Sequence, residues 1–118
     1  MKYMCLIHYD ENKLDSLPEA ERAALYREAY AYYDKLVRRG HALAGDPLDS
    51  VRTATTIRVK KGKPSVTDGP YVETKEQLGG YILIQAHDLD EALTLAAKIP
   101  PARLGGVEVR PIRDMRPR

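Results

Sequence analysis

Two segments of this chain have no polar face. Lys2–Tyr9 (KYMCLIHY) and Gly80–Ala86 (GYILIQA) are apolar at odd and even positions alike, whereas a strand with one wet side alternates. Each therefore belongs near the centre of a sheet and needs cover above and below. In the first, Tyr3, Cys5, Ile7 and Tyr9 share one side, and Met4, Leu6 and His8 share the other.

The rest of the chain supplies helices for one side only. Leu25, Ala29, Tyr32 and Leu36 recur at helical spacing, flanked by Tyr26, Tyr30, Tyr33 and Val37. This tyrosine stripe reads as core and subunit interface, with the wall of an aromatic-ligand site as the alternative. Upstream, Asp10–Asp15 reads as a polar loop and Ser16-Leu17-Pro18-Glu19 as a capping box. Arg38 and Arg39 suit the negative end of the helix dipole, and Gly40 suits a left-handed stop. A second helix begins at Asp88-Leu89-Asp90-Glu91, carries Leu89, Ala92, Leu93, Ala96 and Ile99 as its stripe, and stops at Pro100-Pro101.

Shorter strands are expected at His41–Gly45 and Val107–Ile112. A hairpin joins Thr53–Lys60 to Lys63–Thr67 through Lys61-Gly62. The resulting order, two β-α-β halves around a hairpin, predicts an α+β ferredoxin-like sandwich with an inserted β-hairpin, one domain over residues 1–118. Two helices cover one face of such a sheet. A homodimer packed sheet against sheet is therefore expected to cover the other.

Nineteen basic and seventeen acidic side chains leave a net charge of +2, which does not favour direct nucleic-acid binding. The C-terminal cluster Arg110, Arg113, Arg116 and Arg118 reads as a solvated terminus. The single cysteine, Cys5, reads as a small buried hydrophobe. No run approaches the roughly 20 apolar residues of a membrane span, and the start of the chain lacks a signal-peptide shape. A cytoplasmic protein without membrane contact is expected. The three histidines and one cysteine show no metal-ligand spacing. There is no phosphate-binding glycine loop and no nucleophile elbow, so neither metal nor cofactor is expected.

Between the hairpin and the second apolar strand lies Thr67–Gly80, dense in charge, glycine and proline. Connections in compact domains usually span about 4–6 residues, and rigid scaffolds carry function on longer loops. Asp68 leads a Gly-Pro turn and is read either as a turn cap or as a general base or ligand anchor. Arg58 is read as an anion clamp or as an ion-pair partner of Glu73 or Asp68. Glu73, Lys75 and Glu76 read first as a solvated charge run, with Glu73 and Lys75 as candidate ligand-binding residues. His8, near the end of its strand, reads first as a hydrogen-bonded structural residue, with an acid-base group at the cleft as the alternative. His41 and His87 read as boundary residues.

The stretches Thr53–Arg58, Asp68-Gly69-Pro70-Tyr71, Glu73–Gly80, Asp88–Ala92, Ile99-Pro100 and Val107–Pro111 together resemble the YCII-related proteins, specifically their DGPF-domain branch. Tyr71 stands where that motif has Phe, adding a hydroxyl that makes it a candidate ligand contact. The resemblance implies a dimeric α/β barrel, and for some members an association with extracytoplasmic-function sigma factors. It also implies, for related proteins, a His–Asp pair with the His on the first helix, and one relative acts on a chlorinated hydroxyquinol. Leu17–Arg39 contains no His. Tyr26 and Tyr30 occupy that neighbourhood, so the pair is not carried over.

Two readings follow. One is a polar cleft formed by Asp68–Lys75, Thr53–Arg58 and His8, binding or transforming a small anionic or phenolic molecule by acid-base chemistry. The other is a non-catalytic regulatory module linked to transcription through a sigma factor.

Overall fold

The computed structural model describes residues 1–116. Its elements are β1 (Lys2–Tyr9), α1 (Glu11–Asp15), α2 (Glu19–Arg38), β2 (Ala42–Pro47), β3 (Thr55–Lys60), β4 (Lys63–Asp68), β5 (Gln77–Gln85), α3 (Leu89–Ala96) and β6 (Gly105–Pro111). Two 3₁₀ turns, Val51–Thr53 and Pro100–Leu104, precede β3 and β6.

The two apolar segments lie side by side, as their patterning requires. The main sheet has the order β2-β5-β1-β6, and β3-β4 form a separate ribbon. Every pairing is antiparallel. Each helical crossover skips a strand, which is the ferredoxin-like arrangement with a hairpin inserted. On the helix side Tyr3, Cys5 and Ile7 of β1 meet Ile82 and Ile84 of β5, and these pack with Leu36, Ala92, Ala96 and Ile99. Ile84 is 1% exposed and Cys5 0%. Side chains of this kind contribute about 1.5–3 kcal/mol each when withdrawn from water.

The opposite face carries Met4, Leu6 and His8 beside Tyr81 and Leu83, with Glu108 and Arg110 on the β6 edge. Its apolar members are only half-buried. The main-chain trace is thin, with principal extents of 50 × 45 × 19 Å.

At the N-terminal side the fold departs from the sequence expectation. Asp10–Asp15 is not a loop. Asp10, 5% exposed, caps α1 by accepting from the Asn12 amide at 2.9 Å. Ser16 ends that helix, its hydroxyl donating to the Asn12 carbonyl at 2.6 Å. The Ser16 capping box is therefore absent, and α2 starts after Pro18 with no side-chain cap. Two capping residues competed for this stretch. Asp10 captured the first turn, and the Ser16 hydroxyl was left to bond backward. The Arg22 guanidinium bridges the junction by donating to the Asp15 and Leu17 carbonyls.

The second capping signal behaves as read. Asp88 accepts from the Glu91 amide and the Glu91 carboxylate accepts from the His87 amide, both at 2.9 Å. The hairpin turn also forms at Lys61-Gly62, with φ of 51° and 77°. This left-handed pair matches the strand twist.

Candidate functional site

The site begins at an irregularity in the central pair. Ile7 opposes Gly80 and His8 opposes Leu78, leaving Gly79 as the extra residue of a bulge on β5. A Cβ on Gly79 would fall within the Tyr9 ring, so the glycine is what lets that ring lie against the strand. On the neighbouring strand, a Cβ on Gly45 would stand 2.7 Å from the Tyr33 ring of α2. Glycines on the sheet thus seat tyrosines from β1 and α2 against the same floor.

These rings wall a cavity of about 700 Å³ between α2 and the sheet, floored by Ile7 and Ile82 and bounded by Tyr9, Tyr26, Tyr30 and Tyr33. Tyr32 donates to the Leu95 carbonyl at 2.6 Å, tying α2 to α3 at the inner side. Tyr26 and Tyr30 are 45% and 59% exposed and frame the mouth.

One wall is fixed by Glu11. Its carboxylate accepts from the Ser50 hydroxyl at 2.8 Å and the Val51 amide at 2.7 Å. This clamps α1 to the segment before β3, across 39 and 40 residues of chain. The carboxyl-bearing lining residues are Glu11, Asp15, Asp34, Asp46 and Asp49, and the only cationic one is Arg52. Arg52 already lies 3.5 Å from Asp15.

Three phenols, Tyr9, Tyr32 and Tyr81, hold their protons more tightly than usual. Burial raises the Tyr9 hydroxyl above its ordinary range, and the charge of Glu11 adds to that. Burial likewise raises Tyr32. On the opposite sheet face the Tyr81 hydroxyl donates to Asp46 at 3.0 Å, which raises it too. Each phenol is a hydrogen-bond donor that does not readily become a base.

A second, more open cleft of about 720 Å³ lies across the Leu48–Ser50 segment, and it contains part of the expected site. His8, Thr53, Thr56 and Tyr71 line it, with the carboxylates of Asp49 and Glu76. Asp68, Arg58, Glu73 and Lys75 do not line it. The two-residue turn pairs Thr55 with Asp68 and Arg58 with Ser65. Asp68 and Arg58 therefore stand on opposite faces of the ribbon and do not converge.

Arg58 makes neither expected ion pair. Its guanidinium lies 4.3 Å over the Tyr71 ring and donates to the Tyr71 carbonyl at 3.3 Å, pinning the loop by stacking. Asp68 caps nothing; the Gly69 amide donates to the Ala54 carbonyl instead, at 2.8 Å. Glu73 and Lys75 are exposed and make no side-chain hydrogen bond or ion pair among the described residues. His41 and His87 sit at element boundaries as read. In the C-terminal cluster Arg110 pairs with Glu108 and Arg116 with Asp114, and Arg118 lies outside the described residues.

Among the described residues no group of three or more His, Cys, Asp or Glu side chains is arranged to hold a metal. No helix there is long and apolar enough to cross a membrane.

The tyrosine stripe, whose alternative reading is an aromatic-ligand wall, lines the chamber, but the stripe alone does not reveal the strand glycines that complete it. The chamber's signal was the coincidence of bulky rings on one helix with Gly45, Gly79 and Gly80 on the strands.

An uncharacterised protein of Rhizobium meliloti (strain 1021) is 35% identical over 119 residues, covering 99% of this chain and 96% of the relative. Among solved structures, 5-chloro-2-hydroxyhydroquinone dehydrochlorinase (TftG) from Burkholderia phenoliruptrix AC1100, in complex with 2,5-dihydroxybenzoquinone, has the same fold. The TM-score is 0.54 at 15% identity, with 96% of this chain and 94% of that one covered. The YCII-related domain matches residues 1–116, and the chain belongs to the YCII-related family.

Proposed function

We propose that this protein binds a small phenolic molecule in the tyrosine-walled chamber between α2 and the sheet. The carrying observation is the chamber itself: about 700 Å³, apolar at the floor and aromatic at the sides, within the size range of small-molecule sites. Flat rings stack on tyrosine faces, and protonated phenols offer the hydrogen bonds that orient a hydroxylated ring. The dehydrochlorinase that shares the fold was captured with a dihydroxybenzoquinone, a ligand of this shape and class. Family membership supports placement in the DGPF branch through Asp68-Gly69-Pro70-Tyr71.

An acid-base step is a second reading, favoured by the position of His8. It is the one imidazole lining the open cleft, which Tyr71 and Thr56 also line. Its side of the sheet is the opposite of the Tyr9 side, so this chemistry belongs to the cleft and not to the chamber.

The same reading includes a cytoplasmic homodimer in which the Met4, Leu6 and Leu83 face is covered by a second copy. Those side chains are half-exposed on a sheet whose helices lie on the other side. The sigma-factor reading draws no support from the family match or from the dehydrochlorinase neighbour.

A heteronuclear NMR titration with simple phenols and hydroquinones tests the site. Saturable shifts gathered at the Gly45, Gly79 and Gly80 amides are expected. Shifts gathered instead at Thr56 and Tyr71 would move the site to the cleft, and no saturable shift at either would overturn ligand binding of this class.

A further inference from the structure

Resting on the chamber reading above, we infer that the ligand is an aromatic ring bearing a protonated amine, bound ring inward with its cationic end at the mouth.

The cavity sets the ring, and its rim selects the charge. Tyr26 and Tyr30 frame the opening and are 45% and 59% exposed, so their faces are available there. A cation within about 6 Å of such a face is attracted by the ring quadrupole. The charge of the lining then decides between tails, and the setting of Tyr9 agrees with it.

Four carboxyl-bearing residues, Glu11, Asp15, Asp34 and Asp49, stand against Arg52 alone, while Asp46 turns to Tyr81 on the other face of the sheet. Arg52 is held beside Asp15, so its charge is already answered. Glu11 is committed to Ser50 and Val51, and Asp49 accepts from the Ser50 amide at 2.7 Å. Asp34, on the helix that carries Tyr26 and Tyr30, makes no side-chain hydrogen bond or ion pair among the described residues. It is the carboxylate left to meet an ammonium.

The Tyr9 hydroxyl is raised first by burial and then by the charge of Glu11 and Asp15, two of these same carboxylates. A carboxylate or phenolate entering this field would meet the same repulsion. An ammonium would meet attraction from aromatic faces and carboxylates together.

A matched set of probes reads this directly: tyramine, 4-ethylphenol and 3-(4-hydroxyphenyl)propionate, titrated calorimetrically at low salt. These share a ring and differ in charge at the tail. Tyramine is expected to bind at least tenfold more tightly than the propionate, with 4-ethylphenol between them. That ordering should compress as salt rises, because the rim is exposed and screened. Asp34→Asn, and separately Asp15→Asn, should cut the tyramine advantage several-fold and leave 4-ethylphenol unchanged.

Equal or tighter binding of the propionate overturns the amine inference and leaves the phenol chamber standing. A tyramine advantage untouched by both substitutions also overturns it, since the charge would then lie elsewhere. Binding of none of the three, by protein shown to be folded by circular dichroism, overturns the chamber reading as well.

Discussion

The Tyr9 ring lies against Gly79, the extra residue of the bulge between β1 and β5, with no room between them for a Cβ. A large residue on one strand is matched by the absence of a side chain on the next. The pair both closes the sheet locally and forms part of the wall of the tyrosine chamber. Gly79→Ala should therefore cost about 1–3 kcal/mol, the usual range for overpacking a filled site. Chemical denaturation of Gly79→Ala, Tyr9→Ala and the double variant checks this. The double variant is expected to lose less than the sum of the singles, because removing the ring frees the space that the methyl needs.

Removing the Glu11 carboxylate leaves the Val51 amide and Ser50 hydroxyl without their acceptor. Glu11→Ala should cost about 1–3 kcal/mol, the range for a part-buried donor left unsatisfied. Hydrogen exchange at the Val51 amide should accelerate correspondingly. Glu11→Gln, which keeps one acceptor oxygen, should fall between wild type and Glu11→Ala.

The two capping signals predict opposite outcomes. Asp88→Ala deletes a bond that the Glu91 amide makes at 2.9 Å, and about 1 kcal/mol of stability should go with it. Ser16→Ala should change stability by no more than about 0.5 kcal/mol, because Ser16 caps no helix N-terminus and is exposed. Parallel thermal melts of the two variants check the contrast.

Burial pushes the Cys5 thiol up to about 11 from 9.0. The folded state then holds its proton where the unfolded chain releases it, so stability falls as pH rises from about 9 to about 11. The full effect is on the order of 2–3 kcal/mol and is complete above that window, while little is lost below about pH 8. Cys5→Ala should flatten the slope. Tyr9 and Tyr32, raised in the same direction, keep a residual decline above pH 10. Denaturation curves at pH 7 to 11 check both parts, and a thiol reagent at neutral pH should label Cys5 only as fast as the protein unfolds.

A charge on the uncovered sheet face should separate the proposed subunits. Leu83 and Met4 are half-exposed in the single chain. Leu83→Glu, at a position with no helix above it, should leave the fold intact and shift the mass in solution from dimer to monomer. Light scattering with size exclusion reads this, and a wild type that is already monomeric at tens of micromolar would overturn the dimer.

Some of this structure is written locally. Period-2 alternation put Tyr3, Cys5 and Ile7 on one side of β1, and sheet pairing kept them there. Asp88 and Glu91 lie within one turn of each other, so their reciprocal cap needs no distant partner. Lys61-Gly62 set the ribbon register, and with it the opposite facing of Asp68 and Arg58. That consequence is legible in the sequence, since a two-residue turn pairs Thr55 with Asp68 and so sets Arg58 on the other face.

Other features depend on segments far apart in sequence. Whether Asp10 or Ser16 caps a helix is a competition between nearly equal local bonds. The buried setting of Asp10 and the Glu11 clamp onto Ser50 and Val51 favour the first. The chamber needs Tyr9, Tyr33, Gly45, Gly79 and the Leu48–Ser50 wall at one place. The sequence by itself determined the strands, the helix faces and the turn, because period and cap chemistry act over a few residues. Only the tertiary structure decided where the rings meet the glycines, because packing density is a property of the assembled layers and not of any one segment.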